Sequence, residues 1–168
     1  MTSVLMENDE KYRALTESAT DGIISVDSSG LIVSANSSVL NIFGYERGEV
    51  LGKPVTMLMP KRYIGAHKEG FDRYRSTGES RMVGQVVQVE GRRKNGSEVP
   101  LELTISTWNI GSEKCFTAIL RDITRRKEIE EELSQSHLMA HQLAREHAIL
   151  AAIARNISSS PTLDDALE

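Results

Sequence analysis

Residues 124–157 contain neither glycine nor proline. Those are the two strong helix breakers, so their absence over such a length reads as one long helix. Within it Ile129, Leu133, Ser136, Ala140, Leu143, His147, Leu150, Ala154 and Ile157 follow one another at alternating spacings of four and three. That is the spacing of a coiled-coil seam. Ser136 and His147 interrupt it, and polar residues at seam positions fix register while weakening the pairing. The expected partner is a second copy of the chain in a parallel dimer; a helix packed on its own domain is the plainer alternative. The charged run Arg125-Arg126-Lys127-Glu128, followed by Glu130-Glu131-Glu132, reads as the solvated face, with i,i+4 pairs such as Lys127–Glu131.

Residues 21–123 have a different texture. Gly22–Asp27 and Leu31–Ala35 are short β-rich runs divided by the turn Asp27-Ser28-Ser29-Gly30, which predicts a hairpin. Asn36 is placed to cap a helix over Ser37–Phe43, with Gly44 just past its end. A second short helix, around Glu46–Leu51, stops near Gly52 and Pro54. The segment Met59–Gly78 predicts a longer amphipathic helix. Three strand signals come after it. Met82–Glu90 is β-rich, and Arg92-Arg93-Lys94-Asn95-Gly96 holds an Asn-Gly turn. Val99, Leu101, Leu103 and Ile105 alternate with other positions, and Cys115–Leu120 is apolar on both faces, as suits a central strand. The order β-β-α-α-α-β-β-β predicts an α+β domain, an antiparallel sheet with helices inserted after its second strand. Ahead of it, residues 7–20 read as a short amphipathic helix with Tyr12, Leu15 and Ala19 on one face. Behind the long helix, Ser158-Ser159-Ser160-Pro161 is a break, and residues 162–168 begin a further segment.

Composition narrows the function. The chain has 168 residues, 39% hydrophobic and 26% charged, which suits one globular domain with an extension. A net charge of −4 argues against nucleic acid as a partner. No apolar run approaches the roughly 20 residues that cross a bilayer, and the acidic start MTSVLMENDEKY is unlike a signal peptide. A single cysteine, Cys115, allows no intrachain disulfide, so a reducing cytoplasm is expected.

In the Met59–Gly78 helix, Ile64, His67, Phe71 and Tyr74 recur at i, i+3, i+7 and i+10, forming one stripe, while Lys68, Glu69, Asp72 and Arg75 face away. His67 therefore points toward the core side. A buried imidazole needs a partner for each ring nitrogen, so spacing alone leaves two readings: a satisfied core histidine, or a ligand for something in a pocket.

The pieces DGIISVDSSGLIVSANSSVLNIFGY, EVLGKPVTMLMP, GRRKNGSEVPLELTIS and FTAILRDITRRK, in that order, resemble the PAS sensor family. Arg121-Asp122-Ile123-Thr124 resembles the motif by which PAS domains pass into a signalling helix. Ile149–Glu168 resembles, more weakly, the first helix of a GAF domain. The resemblance implies a five-stranded antiparallel sheet that encloses a pocket with its flanking helices. It also implies a dimer that signals along the C-terminal helix to an effector, often a histidine kinase. The domains then read as 1–20, an N-terminal helix; 21–123, the PAS domain; 124–157, the signalling helix; and 158–168, a GAF-like start.

The run from Met59-Pro60 through His67 to Arg73-Tyr74-Arg75, then Gly84 and Gly91–Gly96, resembles the haem-binding, oxygen-sensing PAS domains of the FixL type. That resemblance implies His67 as the iron ligand, with the opposite side open to O₂, CO or NO. Arg73 and Arg81 are then candidates to pair with the propionates. Ile64, Phe71, Tyr74, Val87, Leu103 and Ile119 complete the expected lining. Those oxygen sensors carry an arginine where this chain has Val87, and an apolar residue has nothing to donate to bound O₂, which favours CO, NO or redox sensing. The flavin photosensors of the family resemble a motif with a reactive cysteine on the helix after the hairpin. Here that helix has Asn41, and Cys115 in a strand reads as a small core residue. A flavin held by packing beside Trp108, a small metabolite, or an empty pocket in a pure dimerisation module are the alternatives. His137 and His141, at i and i+4, read as solvated surface. No paired nucleophile and base, glycine-rich ATP box or phosphoacceptor histidine context is visible, so no enzymatic activity is expected.

Overall fold

The computed structural model describes residues 2–80, 82–111 and 113–158. It divides into two compact units, Met1–Thr124 and Arg125–Glu168. Arg81 and the GAF-like segment beyond Ser158 lie outside the described residues.

The first unit opens with α1, Thr2–Glu17. This helix starts earlier and stops sooner than its apolar spacing suggests. Side chains of a later segment take the carbonyls at its end: Asn36 donates to Thr16 O and Ser38 to Ala19 O. The Glu17 carboxylate accepts from the Ser37 N–H and pairs with Arg47, tying the end of α1 to the chain at residues 37 and 47. Strands β1, Gly22–Val26, and β2, Ile32–Ala35, form the hairpin. Its turn is held by Asp27, whose carboxylate accepts from Ser29 N and Leu31 N, and by Gly30 at φ 80°. Asn36 and Gly44 delimit α2, Ser37–Phe43, as the capping signals predict. Helix α3, Arg47–Val50, carries a capping box between Glu46 and Glu49.

A 3₁₀ turn at Val55–Leu58 has no counterpart in the local signals. It is set by tertiary hydrogen bonds that lay residues 52–55 beside β2: Gly52 N to Ile32 O, Ile32 N to Lys53 O, and Val55 N to Gly30 O. Helix α4, Lys61–Thr77, ends at Gly78 in the left-handed conformation. Strands β3, Val86–Arg92, β4, Glu98–Ile110, and β5, Glu113–Asp122, complete an antiparallel sheet in the order β2-β1-β5-β4-β3. The strand run expected from Met82 begins only at Val86, because Gly84 turns the chain at φ 78°. Strand β5 is central in that order, flanked by β1 and β4. Helix α5, Thr124–Ser158, begins at the last residue of the first unit and makes up the described part of the second. Ile129, Leu133, Leu143 and Leu150 are exposed along it. Among the described residues no helix is long and apolar enough to cross a membrane.

Alternation in the strands puts Ile24, Val26, Leu101, Leu103, Ile105, Phe116, Ala118 and Leu120 on one face, over which α2 and α4 pack. Gly91 sits where that face meets Phe43. A Cβ there would lie 2.7 Å from the Phe43 ring and 2.8 Å from Leu101 Cδ1, both buried. Both neighbours are buried and would have to shift, so Gly91→Ala is expected to destabilise the fold by about 1–3 kcal/mol through overpacking. Urea titration by circular dichroism measures it, and an unchanged midpoint would show that the contact relaxes freely.

Candidate functional site

The inner face of the sheet does not close completely. A cavity of about 330 Å³ remains between β1, β3, β4 and β5 on one side and α2, the 3₁₀ turn and α4 on the other. Its walls are overwhelmingly apolar: Ile24, Phe43, Leu58, Met59, Leu103 and Phe116 are representative. Two aromatic contacts stiffen one wall. Phe71 lies 4.9 Å from Phe116, ring centre to ring centre, and Tyr74 meets Phe116 edge-on at 5.3 Å.

His67 is the polar feature of this wall. Helix α4 presents it into the cavity one turn before Phe71, on which it stacks at 5.9 Å. Its Nδ1 is buried and has no hydrogen-bond partner among the described residues. Burial lowers its pKa below the usual histidine range. The ring is therefore neutral at pH 7 and keeps one nitrogen lone pair. A buried nitrogen without a partner carries a desolvation cost of about 1–3 kcal/mol. A donor or a metal brought by a ligand would relieve it.

At the cavity mouth stands a charged clamp. Arg62, at the start of α4, pairs with Glu90 of β3 and Glu98 of β4, and Tyr63 donates to Glu90 at 3.1 Å. Glu90 and Tyr63 both line the cavity. These ion pairs hold α4 across the sheet edge, although each is exposed enough to contribute little alone.

The expected lining is only partly brought together. His67, Phe71 and Leu103 line the cavity. Tyr74 is buried beside it, with its hydroxyl bonded to Thr107 at 3.2 Å. Ile64 is half-buried on α4 but is not part of the wall. Val87 lies opposite Leu103 and so on the inner face, yet it is not part of the wall. Ile119 is a correction: it pairs with Thr104 and Ile23 on the outer face and is 45% exposed. Both faces of β5 read apolar, and alternation gives no sign of which one covers the pocket. Arg73 is also displaced. It is exposed and borders a separate open cleft with Gly78, Glu79 and Val83. Trp108 stands on the outer face too, donating to Thr117 at 2.9 Å, so it borders nothing in the cavity. The wall residues missed from sequence include Phe43 and Phe116. The capped helix over Ser37–Phe43 and the strand alternation would have given both.

A sequence profile for the PAS domain matches residues 20–125. The chain belongs to the PAS family. Among its relatives is the sensor protein FixL of Bradyrhizobium diazoefficiens, 29% identical over 131 residues, 78% of this chain and 26% of the relative. The cell-division control histidine kinase PdhS of Brucella anthropi is 32% identical over 154 residues, 91% of this chain and 14% of the relative. The chain thus spans about a quarter or less of these proteins. A solved PAS domain, from an HTR-like protein of Haloarcula marismortui, superposes with a TM-score of 0.56 at 27% identity, covering 73% of this chain and 97% of that one.

The PAS assignment explains why the cavity lies where it does. Helices inserted between the second and third strands of the fold must cross the inner face, and the gap they leave is the pocket. Cys115, opposite Trp108 on the outer face, is buried and away from it. With Asn41 on α2, nothing corresponds to the cysteine of the flavin photosensors. His137 and His141 are exposed on α5, and among the described residues no cluster of three or more metal-ligating side chains occurs.

Proposed function

We propose that this PAS domain is the input module of a signalling protein and that its cavity takes haem, with His67 as the iron ligand. The observation that carries the reading is the unpartnered Nδ1 of a neutral histidine in an apolar cavity. A neutral imidazole is a good haem ligand, and apolar walls suit a macrocycle. His67, Phe71 and Leu103 are the residues that would hold it. Bound haem would supply a redox couple and an open coordination position. Val87 is apolar and not part of the wall, so that position offers no arginine donor. CO, NO or redox state are accordingly the proposed signals rather than O₂.

The output runs through α5. In this reading two chains pair along Ile129, Leu133 and Leu143 and bias a histidine kinase or a GAF-linked effector, the domain itself performing no catalysis. The setting is the cytoplasm, in keeping with one buried, unpaired cysteine.

A second reading has one observation in its favour. The cavity, about 330 Å³, lies at the low end of ligand sites. A compact apolar metabolite carrying one hydrogen-bond donor for His67 would fit it as it stands.

Haemin titration separates the two. The haem reading expects a sharp Soret band that shifts on reduction and on CO addition and is lost in His67→Ala. A spectrum like free haemin, or one indifferent to His67→Ala, overturns it. The size of the chain in solution with and without residues 125–168 tests the dimer, since truncation should leave monomers.

A further inference from the structure

The C-terminal carbonyls of α2 are claimed from an unexpected direction. A helix leaves its last four carbonyls without intrahelical partners. Leu40 O is taken by Gly44 N and Tyr45 N of the cap. The carbonyls of Ile42 and Phe43 are taken instead by the turn between β3 and β4: Arg93 Nη1 donates to Ile42 O at 2.5 Å, and Lys94 N to Phe43 O at 2.9 Å. The other guanidinium nitrogen, Nη2, reaches Asp122 Oδ2 at 3.2 Å. The remaining oxygen, Asp122 Oδ1, accepts from the backbone N–H of Thr124 at 2.8 Å and from its hydroxyl. Thr124 is the first residue of α5.

These contacts form a chain. Phe43 is a wall of the cavity and is 2% exposed. The peptide before it carries the carbonyl that Arg93 holds. One guanidinium thus spans the wall of the cavity and the aspartate that sets the first turn of α5. A partly exposed Arg–Asp pair contributes little to stability by itself. The planar fork is what matters here, because it fixes two acceptors in one rigid geometry, which an ammonium on a flexible stem does not.

We propose that Arg93 is the positioning residue that couples the cavity wall to the start of α5. Displacement of Phe43 moves the Ile42 carbonyl, the guanidinium moves with it, and Asp122 is drawn from, or pressed onto, Thr124. The link works whatever the cavity takes, so it does not depend on haem.

Its test is a double-mutant cycle in the full chain, read by amide hydrogen exchange at residues 128–132. Those are the first amides of α5 with intrahelical acceptors, so their exchange reports opening of the first turn. Phe43→Leu trims the wall while keeping it apolar. It is expected to speed exchange there about fivefold when Arg93 is present, and less than about twofold with Arg93→Gln. Asp122→Asn keeps an acceptor for Thr124 but drops the ionic pull, and is expected to uncouple Phe43→Leu in the same way. Arg93→Lys, which keeps the charge and lacks the fork, should behave like Arg93→Gln and serves in its place if the glutamine variant does not fold. Additive effects in these cycles, or no response of residues 128–132 to Phe43→Leu, overturn the proposal.

Discussion

Phe43→Ala is expected to cost about 3–5 kcal/mol of folding stability, the range for removing a buried phenylalanine ring. The upper part of that range applies because of where the ring sits. Phe43 is 2% exposed and already forms a wall of the cavity. Its removal extends an existing space rather than opening a small one that neighbours could fill. The cost of such substitutions grows with the volume left empty. The ring packs directly over Gly91, where a Cβ would lie 2.7 Å from it, and that contact would be lost. With a urea dependence of about 1–3 kcal/mol per molar, the unfolding midpoint should fall by roughly 2 M. Trp108, the chain's one tryptophan, lies in the first unit, so its fluorescence should report this shift. A loss under about 1 kcal/mol would mean that the ring is not part of the core.

Phe43 also shows how much of this protein is legible in its amino acids. Asn36 and Gly44 bracket its helix by chemistry that needs nothing distant: an amide that caps a first turn, and a residue free to adopt positive φ. The same holds for the turns at Asp27–Gly30 and Asn95-Gly96. The 3₁₀ turn at Val55–Leu58 is not legible, because hydrogen bonds to β2 place it. The site divides along the same line. His67 and Phe71 face the cavity because helical spacing dictates a face. Spacing says nothing about which inner-face residues a cavity touches, so Val87 falls on the correct face without being part of the wall. Nor does it choose between two apolar faces of a central strand, so it assigns Ile119 to the wrong one. Arg73 lies between Asp72 and Tyr74 on α4, and a helix turns adjacent residues about 100° apart. Arg73 therefore does not share the buried face of Tyr74 and is exposed. The unpaired state of His67 Nδ1 belongs wholly to the tertiary level, because it depends on the apolar walls that the sheet and the 3₁₀ turn bring around the ring.

Asn36→Ala is the second large effect expected, at about 3 kcal/mol, from a residue with no role in the cavity. Its side chain is 2% exposed and satisfies four backbone groups, those of Thr16, Asp21, Ile23 and Val39. The amide oxygen accepts from Ile23 N at 2.9 Å and from Val39 N at 3.1 Å. The nitrogen donates to Thr16 O at 2.8 Å and Asp21 O at 3.0 Å. Losing the cap of α2 contributes about 1 kcal/mol. Each backbone group then left buried without a partner adds about 1–3 kcal/mol, moderated where water can enter. Asn36→Asp separates these contributions. It keeps the acceptor for Ile23 and Val39 but replaces the donor with an oxygen facing the Thr16 and Asp21 carbonyls. Asn36→Asp should therefore keep the first turn of α2 protected in hydrogen exchange while freeing the end of α1. Asn36→Ala should expose both. Full protection of the end of α1 in both variants would assign its attachment instead to the other tethers there, the Glu17–Arg47 ion pair, the Ser37 contact and the Ser38 bond to Ala19 O.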